Sequence, residues 1–414
     1  MKLNQHLLAG VCALAVAGTV TFSTVKAQPA AARGTAEYWL SAETSSGFGA
    51  GMMGGRNPSA AMMSAMFGGR GKQASHAHNL MLQLGSPQRA AGEPMAEHLP
   101  PSGLQAGPSL PLVSPKIVRP TGRTDMPWTE NMERPKGRIL IYWGCGERAG
   151  PGQPAVIDMA SLAAGKAQSM MRTANVRYMT PPSSDRAGTY GEWPNEKNGT
   201  QVPAGGSLVG AHVVKGNYSP EIRFNLAQGQ DFLAPVQLLS QAEAPSGAIP
   251  LVWKPVAGAQ GWFASTMGSN GSGDLVVWSS SESQIFDMMS DYLPPAEVSR
   301  LIQQKMLLPG STDRCTVPAE AVKAAPQGML SITAFGGEAN FSHPARPAKA
   351  PASWRPDWTV KLRTKSTYRS MLGMEMPDMS GGDEEMDEAP QQQKREKKKK
   401  VRLPFPGLGG LIGN

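Results

Sequence analysis

The chain has 414 residues, of which 40% are hydrophobic, 6% aromatic and 17% charged, with 47 Gly and 36 Pro. That is enough apolar material for a core, but the turn and linker content excludes one uniformly structured domain. Lys and Arg outnumber Asp and Glu to give a net charge of +8, and only 6 His are present, so any acid–base or metal chemistry must use few imidazoles.

Lys2 precedes an apolar run from Leu7 to Val20, and Val25 and Ala27 place small residues where a signal peptidase reads. The pattern predicts a signal peptide over 1–27 and hence an exported, periplasmic or extracellular protein. Cys12 follows Val11, which does not suit a lipoprotein signal, and no later stretch reaches the length of a membrane span. Residues 35–44 alternate Tyr38, Leu40 and Ala42 on one side, and 78–84 do the same with Leu80, Leu82 and Leu84. They are expected to pair as strands within a unit at 28–86, around a flexible Gly/Met-rich insertion at 45–75. The many prolines from Pro87 to Pro135 predict an extended linker over 87–136.

Strand signals return at 138–143, and a short helix is expected over 158–171. Strands at 207–216 and 221–226 complete an irregular β-domain at 137–240. Further on, 249–253 alternates Ile249, Leu251 and Trp253. Residues 258–267 and 274–279 then read as a hairpin around Asn270 and Gly271. Helices are expected at 295–307 and 318–325, strands at 328–335 and 358–368, a terminal strand segment at 346–370 and a disordered charged tail at 371–414.

The segment LVWKPVAGAQGWFAS, with Trp253, Pro255, Gly258, Ala259 and Trp262, resembles the start of a fibronectin type III module, and SITAFGGEANF resembles its closing strand. The resemblance covers roughly 248–342, within a unit expected at 244–345 that carries a helical insertion at 285–326. It implies an immunoglobulin-like sandwich that binds or spaces other elements and has no catalytic role. The fold class expected is therefore mainly β, with two sandwich-like modules, a short helical insertion and long disordered segments.

Cys145 and Cys315 are the two cysteines after the leader; in an oxidising compartment their simplest reading is one disulfide, with free thiols or a thiolate metal site as alternatives. Gly49, Gly51 and Gly54 fit a dinucleotide fingerprint, but no acidic residue lies between Glu43 and Glu93 to hold a ribose. Met52, Met53, Met62, Met63 and Met66 with His76 and His78 form a set of soft ligands suited to Cu(I), the one cofactor suggested. Trp143, Trp253, Trp262 and Trp278 fall on strands and read as core; Trp193, Trp354 and Trp358 fall near turns and prolines and are the candidates for a ligand surface.

No nucleophile elbow, H-E-x-x-H, phosphate loop or C-x-x-C is present. The tail opposes an acidic block, Asp383–Glu388, to a basic one, Lys394–Arg402, leaving the basicity to the body. These features together predict a non-enzymatic envelope protein that binds an envelope polymer, anionic lipid or another envelope protein, and not nucleic acid. The alternatives are Cu(I) sequestration and an enzyme of unrecognised type.

Overall fold

The computed structural model describes residues 34–48, 76–115, 137–163 and 175–373. The expected leader, most of the Gly/Met-rich insertion and the tail from 374 onward lie outside the described residues. The protein is mainly β. In chain order its elements are β1 (Ala36–Gly47), β2 (His76–Ser86), β3 (Ala96–Leu99), β4 (Leu110–Leu112), β5 (Arg138–Trp143), β6 (Ala155–Asp158), α1 (Met159–Ala163), β7 (Thr189–Trp193), β8 (Gly210–Gly216) and β9 (Ile222–Leu226). There follow β10 (Leu238–Ser240), β11 (Ile249–Trp253), β12 (Gly261–Ser269), β13 (Leu275–Ser279), α2 (Pro295–Gln303), β14 (Leu308–Pro309), β15 (Arg314–Val317), α3 (Ala319–Ala324), β16 (Met329–His343) and β17 (Trp358–Met371).

One long sheet runs β6-β5-β13-β12-β16-β17-β1-β2-β7, with β14 beside β12. Its pairings are antiparallel except β5 with β13 and β1 with β17. Two smaller sheets, β4-β3-β8-β9 and β10-β11-β15, pack on it. Period-two alternation explains the arrangement: Tyr38, Leu40, Leu82, Leu84, Val360 and Leu362 meet Leu110, Val214, Ile222 and Leu226 of the four-stranded sheet in a first core. Trp262, Trp278, Ile332 and Tyr368 meet Leu251, Trp253 and Val317 of the three-stranded sheet in a second.

β16 and β17 serve both cores, and a bulge makes this possible. Between Phe335 and Glu338, β16 advances three residues while β17 advances two, from Lys365 to Arg363. The one extra residue switches the inward set of β16 from even numbers (Leu330, Ile332, Ala334) to odd (Ala339, Phe341), while β17 keeps Val360, Leu362 and Tyr368 inward. Gly336 sits at this bulge because a Cβ there would lie 2.9 Å from the Thr364 carbonyl oxygen and 3.0 Å from Leu233.

On the opposite face of the long sheet, α2 and the segment before it cover Phe263 and Phe335 with Ile285, Met289, Val298 and Leu301. α2 begins at Pro295, whose fixed φ suits the first helical position, and carries Glu297 in its first turn, where the Arg300 guanidinium holds that carboxyl below its usual range.

Several expectations change. The Pro-rich stretch expected as a linker is part of the first core over its described portion: Leu104, Leu110 and Leu112 are buried, and His98 of β3 is fully so. Pro111 is tolerated because β4 is an outer strand of its sheet. Ser45–Gly47, assigned to the insertion, continue β1. The stretch expected as a helical insertion, 285–326, holds α2 and α3 but also β15, which pairs with β11 and completes the second core. The strands of 137–240 divide among sheets: β5, β6 and β7 join the long sheet, β8 and β9 the four-stranded one and β10 the three-stranded one. Cys145 and Cys315 form a disulfide that staples the end of β5 to β15, joining the long sheet to the three-stranded sheet across 170 residues.

Candidate binding site

The first core is wrapped on nearly all sides. At one edge, Val113 just beyond β4 exchanges two backbone hydrogen bonds with Glu192 of β7, each 3.0 Å, which links the four-stranded sheet to the long sheet. Going round, β16, β17, β1, β2, β7, β4, β3, β8 and β9 follow one another, but the ring stays open between β9 and the second half of β16. β12 pairs with β16 only over Met329–Phe335, so 338–343 has β17 on one side and no ladder partner among the described residues on the other. β9 likewise has only β8. Here the two strands meet through side chains, Phe224 against Phe341 with ring centroids 5.8 Å apart.

A cavity of about 440 Å³ lies along this seam, lined by Arg223, Phe224, Asn340, Phe341, Ser342, His343, Ala345 and Trp358. Alternation on β9 sets its character, with Ile222, Phe224 and Leu226 inward and Arg223 outward. Trp358 is mostly buried and stacks on His343, rings 20° apart. Among the described residues the lining contains one guanidinium and no carboxylate; Glu221 pairs with Arg223 from just outside it. An aromatic wall with a cationic rim suits a ligand with an apolar face and anionic groups.

Behind the seam runs a buried polar chain. The Tyr38 hydroxyl donates to His98 Nδ1 at 2.5 Å, His98 Nε2–H donates to His212 Nδ1 at 2.8 Å, and His212 Nε2–H donates to the Leu208 carbonyl at 2.6 Å. This direction follows from the far end, since a carbonyl accepts only and so fixes the tautomers of both neutral rings. Phe224 stacks on His212 at 4.8 Å, tying the chain to the seam. Burial pushes the Tyr38 hydroxyl up, reinforced by Tyr218, and pushes His98 down, reinforced by His212. His212 is lowered by burial too, against the opposing pull of the Leu208 carbonyl and Asp231. All three side chains are at most 1% exposed, so the chain has no route to a substrate and works as a satisfied core network.

A second polar cluster lies on the outer face of β1 and β17, where parallel pairing sets Ser41 beside Arg363 and Glu43 beside Lys365. Lys365 Nζ donates to the Ser290 carbonyl at 2.5 Å and lies 3.4 Å from Glu43 Oε2; Arg363 Nε donates to Ser41 Oγ at 2.8 Å. Both cations also face the Tyr292 ring, at 4.3 Å for Arg363 and 4.8 Å for Lys365. The cations thus clamp the segment before α2 onto the sheet. A larger concavity, about 750 Å³, lies by β3 and β4 between Glu93, Glu97, Lys197 and Lys215. Its walls mix both charge signs, and its strands are paired onward through Val113, so the seam is the better candidate.

The residues singled out in the sequence meet different fates. Trp193, a candidate ligand surface, is 1% exposed and belongs to the first core: β7 alternation turns it inward and Asn198 accepts its ring N–H at 3.3 Å. Trp354 lies beyond β16 with Arg346 5.8 Å from its ring, and Trp358 lines the seam. His76 and His78 lie side by side on β2, centroids 5.3 Å apart. His78 stacks flat on Phe232 at 4.0 Å, and burial followed by His76 lowers it to about 4. Among the described residues no third His, Cys, Asp or Glu joins them to form a metal-binding group. The methionines proposed with them, Met52, Met53, Met62, Met63 and Met66, lie outside the described residues. Sequence reasoning missed Arg223, Phe224, Phe341 and the Tyr38–His98–His212 chain, although His212 and Val214 alternate inward on β8 and signalled a histidine in the core.

Comparison of the chain with protein families, curated proteins and solved structures finds no match.

Proposed function

We propose that this chain is an exported, non-enzymatic binding protein of the cell envelope that holds a partner or anionic polymer in the seam between β9 and β16. The observation that supports this best is the composition of the opening: Phe341 and Trp358 supply a wall and Arg223 the charge, with no carboxylate in the lining among the described residues. The basic body agrees with an anionic ligand. The fibronectin type III-like reading of 244–345 belongs to the same proposal, as a scaffold whose strands position β16. To test it, the purified chain is titrated with alginate and with phosphatidylglycerol vesicles at rising salt. Binding that weakens with salt and falls with Arg223→Glu is expected; binding indifferent to both refutes the reading.

Cu(I) sequestration is kept as a second reading because His76 and His78 are adjacent on β2. Titration with Cu(I) against a competing chelator decides it, and no uptake ends it.

A further inference from the structure

From the backbone on either side of the seam we infer that its occupant is an extended peptide strand, apolar on one side and acidic on the other, which closes the ring by strand addition. This rests on the seam being the binding site and goes further by naming what fills it. An edge strand presents a row of N–H and C=O groups at the repeat of a polypeptide, and another strand matches that row where a sugar chain or lipid headgroup does not. Here two such rows border the same opening, 222–226 on β9 and 339–343 on β16, neither with a second ladder partner among the described residues.

Proline, one of the features by which proteins blunt an edge, is absent from the two strands that border this seam. β4, at the other side of the same sheet, carries Pro111 at its centre, whereas β9 and 338–343 contain no proline. The β16 bulge lies before this stretch, so its register with β17 runs unbroken from Glu338 to His343. Charge narrows the occupant further. Arg223 points outward with its side chain 66% exposed and Glu221 as its ion-pair partner, and the loop from Pro344 to Asp357 adds an excess of positive charge, Arg346, Lys349 and Arg355 against Asp357 alone. A strand entering here would turn apolar residues toward Phe341 and Trp358 and acidic residues toward Arg223, the ordinary two-faced alternation.

The probe is an acetylated, amidated peptide of roughly ten residues alternating Val and Glu, added to the full chain and followed by fluorescence anisotropy and amide hydrogen exchange. Saturable binding is expected, with exchange slowed in both 222–226 and 339–343. Methylating alternate peptide nitrogens is expected to weaken it about tenfold or more, as is Arg223→Glu. Arg223→Gln gives the smaller loss if charge reversal disturbs folding, and circular dichroism checks both variants. A methylated peptide that binds as tightly, or exchange unchanged at both strands, overturns strand addition. If the peptide fails while alginate still binds in an Arg223-dependent way, strand addition falls and the seam reading stands; if neither ligand depends on Arg223, both fall.

Discussion

Replacing Tyr38 by Phe removes one oxygen from the middle of the first core and leaves the ring in place. In the native chain that hydroxyl donates to His98 Nδ1 at 2.5 Å, and both side chains have no exposed surface. The variant leaves His98 with a buried acceptor that no neighbour serves, because its other nitrogen already donates to His212 and His212 donates onward to Leu208. An unserved buried acceptor costs about 1–3 kcal/mol, and the hydrophobic gain from losing a hydroxyl offsets only part of it. The net expectation is a loss of about 1–2 kcal/mol, a drop of roughly 2–6 °C in Tm for a domain of this size. Urea and thermal unfolding of the two proteins at neutral pH measure it. A double-mutant cycle with His212→Phe adds a stricter check, since residues in one hydrogen-bonded chain should couple by more than about 0.5 kcal/mol. A Tyr38→Phe protein as stable as the parent, or additive effects in the cycle, would refute the chain as a structural network.

Three buried or part-buried histidines predict acid sensitivity: His78 is lowered to about 4, and His98 and His212 are also lowered, all chiefly by burial. The unfolded chain therefore takes up protons below about pH 6.5 that the folded chain refuses, so stability is full above that pH and is lost as pH falls toward 4; an unfolding midpoint flat from pH 7 to 4.5 would contradict this. Removing the disulfide with Cys145→Ser and Cys315→Ala frees a closure over 170 residues. The chain-entropy model puts the loss at about 5 kcal/mol, and a fall in urea midpoint equivalent to under about 1 kcal/mol would show that the staple constrains little. Gly336→Ala drives a methyl against the Thr364 carbonyl and Leu233 and should cost about 1–3 kcal/mol by urea unfolding; a neutral result would mean that the bulge adapts.

What could be read from the sequence was whatever one buried face imposes locally. Tyr38, Leu40 and Ala42 against Leu80, Leu82 and Leu84 announce two half-buried strands, and these pair antiparallel with Leu40 opposite Leu82. Ile249, Leu251 and Trp253 do the same for β11. β3 and β4 are too short to show a period, and the prolines in and around them read as linker, yet tertiary contacts bury Leu104, Leu110 and His98. Trp193 escapes local reading for a related reason, since Pro194 and nearby polar residues suggest a turn while the strand before them points the ring inward. The Gly336–Gly337 pair reads as a strand end, and only pairing with β17 reveals one continuous strand with a bulge. The seam had no local signal at all, because it consists of pairing that is missing between β9 and β16, strands more than a hundred residues apart.

The parallel register of β1 with β17 places Ser41 against Arg363, 322 residues later. A growing polypeptide therefore cannot complete its longest sheet until nearly its whole length has been made, and the first strand must wait without the neighbour that covers one of its edges. Contacts so distant in sequence form slowly. The late strand is therefore the latch of the sheet: until it pairs, one edge of β1 stays open to other strands.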